Sequence, residues 1–109
     1  MRHGKKGRKL NRTASHRHAL MSNLAASLVL HKRIRTTDAK AKEVRSFVER
    51  LVTYAKKSDV HGRRLILRKI NGTLGKKIAN ILIHDIAPNY ENRNGGYTRI
   101  IKLNNRKND

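Results

Sequence analysis

The sequence predicts a small α+β protein with four helices and two short strands. Three observations lead to this fold class. Four segments repeat apolar residues at helical spacing, two short segments are rich in β-branched residues, and the first twelve residues contain almost no apolar side chains. The 109 residues suffice for one domain with a modest core. We therefore expect an extended basic arm over 1–12 and a single α+β domain over 13–109.

The helices are predicted from apolar stripes and from residues that can cap or end them. Their expected ranges are about 13–32, 38–57, 60–70 and 73–86. Thr13 or Ser15 can be the N-cap of the first helix, and Thr37 suits the N-cap of the second. Pro88 should end the last helix, because the residue before a proline disfavours the helical conformation.

Two strands are predicted from β-branched, alternating segments, and they carry the sheet in this interpretation. The first is Lys32–Thr37, and the second is Tyr97–Leu103. Residues 104–109 are polar and turn-rich, so a returning hairpin strand would be expected to follow them.

The net charge favours a polyanionic partner. Lysine and arginine number 27 and aspartate and glutamate 7, which gives +20, and residues 1–37 supply ten cations and no acid. A compact chain with this charge repels itself unless a polyanion neutralises it. Nucleic acid fits best. An anionic membrane surface is disfavoured because aromatic anchors are scarce, and no apolar run is long enough to cross a bilayer. No secretory signal is evident, so we expect a cytoplasmic protein.

Catalytic and metal-binding chemistry find little support in the sequence. Cysteine is absent, which excludes disulfides, thiolate catalysis and cysteine-based zinc sites. His16 and His18 are two residues apart, so on a helix they point in different directions and cannot share one metal. No nearby acid could orient either ring as a general base. Glu43 and Glu49 are expected to be ion-paired surface residues. We predict no cofactor, no metal and no small-molecule substrate.

The segment Gly95–Arg99 combines two glycines, a tyrosine, a threonine and an arginine, beside Arg93 and Asn94. Permissive backbone, a ring that can stack and a guanidinium suit contact with phosphates and unpaired bases. The simpler alternative is a hairpin turn with a surface arginine.

Two separated, ordered motifs resemble one known family. They occupy Met1–His3, Gly7–Arg8, Leu10–Arg12, Ser15–Arg17, Asn23–Ala25, Ser27–Leu28, Ile34, Thr36–Thr37 and Lys40–Glu43, and then Asn92–Arg93, Gly95–Ile100 and Lys102. Over residues 1 to about 103 the chain resembles the seventeenth protein of the bacterial large ribosomal subunit. The resemblance implies a small two-layer α+β domain, in which helices pack on one side of a two- or three-stranded sheet. It also implies a non-catalytic structural role in translation, bound to large-subunit ribosomal RNA near the peptide exit region and to neighbouring ribosomal proteins.

The predicted RNA contacts form three groups, and basic residues predominate in the first two. They are Arg2, His3, Lys5, Lys6, Arg8, Lys9, Asn11 and Arg12 in the arm, then His16, Arg17, His18, Asn23, Lys32, Arg33 and Arg35, and finally Arg93, Asn94, Gly95, Gly96, Tyr97, Arg99 and Lys102. Recognition should be mainly of RNA shape and phosphate geometry. A DNA-compacting protein is the first alternative, although no helix-turn-helix spacing is evident. A ribonuclease using His16 or His18 is the second.

Overall fold

Four α-helices follow one another in the described part of the chain, and two short turns of other helix types come after the last of them. In the computed structural model, which describes residues 13–57 and 59–103, they are α1 (Ala14–His31), α2 (Asp38–Lys56), α3 (Val60–Lys69) and α4 (Gly72–Ile81). A π-helical turn at Leu82–Ile86 and a 3₁₀ turn at Ala87–Tyr90 continue α4. All four predicted helices are confirmed. The predicted end of the last one falls at the end of the π turn.

Side-chain caps explain where three of the helices begin. Thr13 accepts a hydrogen bond from the N–H of His16 at 3.3 Å, so Thr13 rather than Ser15 is the N-cap of α1. Thr37 caps α2 in the same way at 3.4 Å. Asp59 accepts from the N–H of Gly62 at 2.7 Å and caps α3. Each cap satisfies one N–H that the first turn of a helix leaves without an intrahelical partner.

The core is aliphatic, and α2 lies at its centre. This helix packs against α1, α3 and the turns that follow α4. Four large side chains are fully buried, one each from α2, α3, α4 and the π turn: Leu51, Ile66, Ile78 and Leu82. The apolar stripes identified in the sequence therefore face a shared interior, as their helical spacing requires.

Gly75 allows α4 to pass very close to the end of α3. A Cβ atom at this position would lie 1.8 Å from the carbonyl oxygen of Ile70 and 2.7 Å from its carbonyl carbon. Both atoms belong to the backbone, so no side-chain rotation could make room. Glycine is therefore required here by a close backbone approach.

Pro88 accounts for the change of helix type after α4. Proline has no N–H, and in an α-helix its ring would clash with the carbonyl four residues earlier, here that of His84. The chain widens instead, and the N–H of Ala87 donates to the carbonyl of Leu82, five residues back. The Asn89 side chain then donates to the carbonyl of Asp85 at 3.1 Å.

The predicted α+β fold is wrong, because the described residues contain no β-strand and their fold is all-α. Residues 33–37 form an irregular link between α1 and α2, after Lys32 ends α1 in a left-handed conformation with φ 67°. Residues 97–103 also lack regular structure, and Ile101 and Leu103 are 69% and 59% exposed. Strand preference reflects packing on a neighbouring strand, and neither segment has one. The helices cover one another instead.

Candidate nucleic-acid interface

The arm is the first group of predicted RNA contacts, and it lies outside the described residues. Its contacts therefore remain predictions: Arg2, His3, Lys5, Lys6, Arg8, Lys9, Asn11 and Arg12.

The second group lies on α1 and on the link that follows it. All of its members are exposed except Arg17, which is half-buried: His16, Arg17, His18, Asn23, Lys32, Arg33 and Arg35. The ring of His18 packs edge-on against Phe47 of α2, with 6.3 Å between ring centroids. His18 therefore also has a packing role.

The third group surrounds a tight turn at Gly95 and Gly96. Both glycines adopt positive φ angles, 97° and 64°, which residues with a side chain rarely adopt. Arg93, Asn94 and Arg99 are exposed around this turn, as is Lys102, whereas Tyr97 is half-buried. Among the described residues, no hydrogen bond or ring contact joins this turn to the α1 group.

Glu49 of α2 holds this turn in place. Its Oε1 accepts hydrogen bonds from the backbone N–H groups of Gly96 and Tyr97, at 3.0 and 3.3 Å. Its Oε2 accepts from the hydroxyl of Thr98 at 2.8 Å and from Nε of Arg45 at 3.1 Å. The ion pair predicted for Glu49 is therefore present. The sequence analysis did not predict that Glu49 also fixes a segment 47 to 49 residues further along the chain.

The pKa of Glu49 reflects this set of donors. Burial of the side chain alone raises the pKa of the Glu49 carboxyl. The hydrogen bonds from Thr98, Arg45, Tyr97 and Gly96 outweigh that effect and hold the pKa below its ordinary value of 4.5. The anchor is thus a carboxylate at neutral pH.

An internal carboxylate therefore binds the backbone N–H groups of a segment that the sequence analysis expects to contact RNA phosphates. Two successive N–H groups beside residues of positive φ form an anion-binding turn, and here the anion is Glu49. What the turn presents to solvent is its side chains. The two consecutive glycines were a usable signal for an anion-binding turn, but nothing in the sequence indicated which acid would bind there.

Lys56 is a second connection between α2 and the turn, and it too was missed. Its Nζ donates to the Tyr97 hydroxyl at 3.0 Å and to the carbonyl of Arg93, and it lies 5.1 Å from the centre of the Tyr97 ring. The hydrogen bond from Lys56 lowers the pKa of Tyr97 below its ordinary 10.0. The rings of Tyr97 and Tyr90 meet edge to face at 5.3 Å. This packing gives the turn a rigid base.

The described residues provide neither a metal site nor a membrane-spanning helix. No group of three or more histidine, aspartate or glutamate side chains there could hold a metal ion. No helix among them is both long enough and apolar enough to span a bilayer.

Comparison with known protein families identifies the family of this chain. Residues 20–109 match the family described as ribosomal protein L17. The chain belongs to the ribosomal protein L17 family. The resemblance noted from the sequence motifs is therefore confirmed, and so is the prediction that the chain is not an enzyme, since the family is a structural component of the ribosome.

Similar proteins named large ribosomal subunit protein bL17 occur in several organisms. The chain is 51% identical over 109 residues to that of Methylacidiphilum infernorum, which covers all of this chain and 81% of the relative. It is 50% identical over 109 residues to that of Syntrophotalea carbinolica, covering all of this chain and 68% of the relative. It is 52% identical over 107 residues to that of Thermus thermophilus, covering 98% and 88%.

Proposed function

We propose that this chain is a structural constituent of the bacterial large ribosomal subunit and binds large-subunit ribosomal RNA as a non-catalytic scaffold in translation. The observation that carries the proposal is the family match over residues 20–109, together with whole-chain relatives named for the large subunit. The net charge of +20 agrees with a polyanionic partner. Neighbouring large-subunit proteins are further partners in this proposal, and the cytoplasmic ribosome is its location.

The helical body acts as a platform that presents cations at two separate places. Arg17 and Arg35 lie on or just after α1, and Arg99 follows the turn held by Glu49. An arm over 1–12, carrying Arg8 and Arg12, adds a third. Each cation that neutralises a phosphate releases counterions, which favours binding without reading the sequence of the RNA. The contacts are thus to shape and phosphate geometry, and we place them near the peptide exit region because of the family resemblance.

Removing the arm tests the electrostatic part of the proposal. A chain lacking residues 1–12 should bind large-subunit RNA more weakly, and the slope of log affinity against log salt should become shallower because several phosphate contacts vanish. A full-length variant with its six arm cations replaced by glutamine controls for chain length and should behave like the deletion. An unchanged salt slope in both variants would exclude the arm as an electrostatic anchor.

Co-sedimentation tests the assignment to the ribosome. The cellular protein should travel with large ribosomal subunits through a sucrose gradient, and it should leave that fraction when the particles are unfolded by removal of Mg²⁺ and addition of salt. Sedimentation with DNA and never with large ribosomal particles would favour a DNA-compacting protein and contradict the proposal.

A further inference from the structure

An open cleft separates the last turn of α2 from the glycine turn. Its volume is about 510 Å³, within the range of sites that take small ligands. Six residues line it: Thr53, Lys56, Lys57, Asn94, Gly95 and Tyr97. None of them is acidic, and two are lysines that the motif analysis did not select.

The cleft carries net positive charge even though it lies at a helix C-terminus. The end of α2 contributes about half a negative charge through its free carbonyl groups. The ammonium groups of Lys56 and Lys57 contribute two positive charges, which exceed it. The Lys56 ammonium is held in position by the Tyr97 hydroxyl and the carbonyl of Arg93. A fixed cation loses little side-chain freedom when an anion binds.

Hydrogen-bonding groups on the cleft walls complement a sugar as well as an anion. The Thr53 hydroxyl donates to the carbonyl of Glu49 at 3.0 Å, so the free capacity of its oxygen is to accept. The exposed amide of Asn94 can both donate and accept. Gly95 adds no side chain, and a Cβ placed there would meet nothing within 4 Å. A ribose 2′-hydroxyl, which can donate to such acceptors, distinguishes RNA from DNA.

We propose that this cleft binds one nucleotide of an RNA strand, with the phosphoryl group beside Lys56 and Lys57 and the ribose beside Thr53 and Asn94. The inference rests on the proposed RNA-binding function and extends it to Thr53, Lys56 and Lys57, which neither the family motifs nor the sequence analysis selected. Glu49 contributes indirectly, because it fixes the turn that forms the opposite wall of the cleft.

Nuclear magnetic resonance titration of the full chain with 5′-phosphorylated tetrauridylate tests the site. We expect the signals of the Gly95 N–H and the Asn94 side-chain amide to shift on binding, and the deoxyribose tetranucleotide to bind more weakly. Absence of shifts at these two residues overturns the proposal. Shifts with inorganic phosphate but not with tetrauridylate also overturn it, since the cleft would then be a site for free anions only.

A pair of lysine variants separates the cleft from the rest of the basic surface. Lys57→Ala should make the slope of log affinity for tetrauridylate against log salt shallower by about 0.7, the value for one contact on a single strand, and Lys57→Arg should restore it. Lys77→Ala removes the same charge from an exposed position of α4 outside the cleft and should leave the Gly95 and Asn94 shifts intact. If Lys57→Ala also leaves these shifts and the slope intact, the cleft assignment is wrong. Co-sedimentation with large subunits would still stand, which separates this failure from that of the proposed function.

Discussion

Replacing Glu49 by alanine should release the glycine turn while leaving the helical core intact. The change removes three hydrogen bonds from the turn, donated by Gly96, Tyr97 and Thr98. At about 1 kcal/mol each, they stabilise the closed turn by about 3 kcal/mol, which corresponds to roughly a hundredfold in its opening equilibrium. The Glu49 side chain is only 21% exposed, so water does not replace these bonds fully in the closed turn.

Amide hydrogen exchange measures that opening directly. In Glu49→Ala, the Gly96 and Tyr97 amides should exchange about a hundredfold faster, whereas the amide of Leu51 in the core of α2 should change little. Glu49→Gln keeps an oxygen for the two N–H groups but loses the charge, so its effect should be about tenfold. Asp38→Ala, which removes the carboxylate of an exposed ion pair on the same helix, should not affect the turn. Unchanged exchange at Gly96 and Tyr97 in Glu49→Ala would refute the anchoring role.

Three further predictions concern pH, backbone packing and the core. Because folding lowers the pKa of Glu49, the contribution of its carboxylate to stability is complete above the unfolded pKa of 4.5 and is lost as the pH falls through the folded pKa. Hydrogen exchange of the Gly96 amide should show this loss in the natural chain. The Glu49→Gln variant has no carboxyl at this position and should not show it. Gly75→Ala should lower the free energy of unfolding by about 3 kcal/mol in denaturant titrations, the upper end of the usual cost of overpacking, because the backbone must move. An unchanged free energy of unfolding would contradict the close approach. Leu51→Ala should cost about 2–5 kcal/mol by the same measurement, whereas Val60→Ala, at a 66% exposed site, should cost less than about 0.5.

The helices could be predicted from the sequence because their signals are local. The stripe of α2 and its Thr37 cap lie within the helix and next to it, so neighbouring residues suffice to place both. The segments Lys32–Thr37 and Tyr97–Leu103 have equally clear β-branched composition, yet a strand needs a partner that composition does not supply. That dependence on a distant segment is why the predicted fold class was wrong.

The candidate site shows the same limit at the level of single side chains. Arg93, Asn94 and Arg99 could be selected because their chemistry is visible in the motif. Glu49 and Lys56 could not, because their partners lie 37 to 49 residues further along the chain. Only the folded chain shows that the glycine turn is closed by the protein's own carboxylate.

A crosslinking map in assembled large ribosomal subunits shows whether folded RNA neutralises the surplus cations of this chain. A photoreactive residue would be placed at Arg8, Arg12 or Arg99, one position at a time. We expect crosslinks from each position to defined nucleotides of large-subunit RNA. Particles that contain the protein but yield no RNA crosslink from any of the three positions would contradict it.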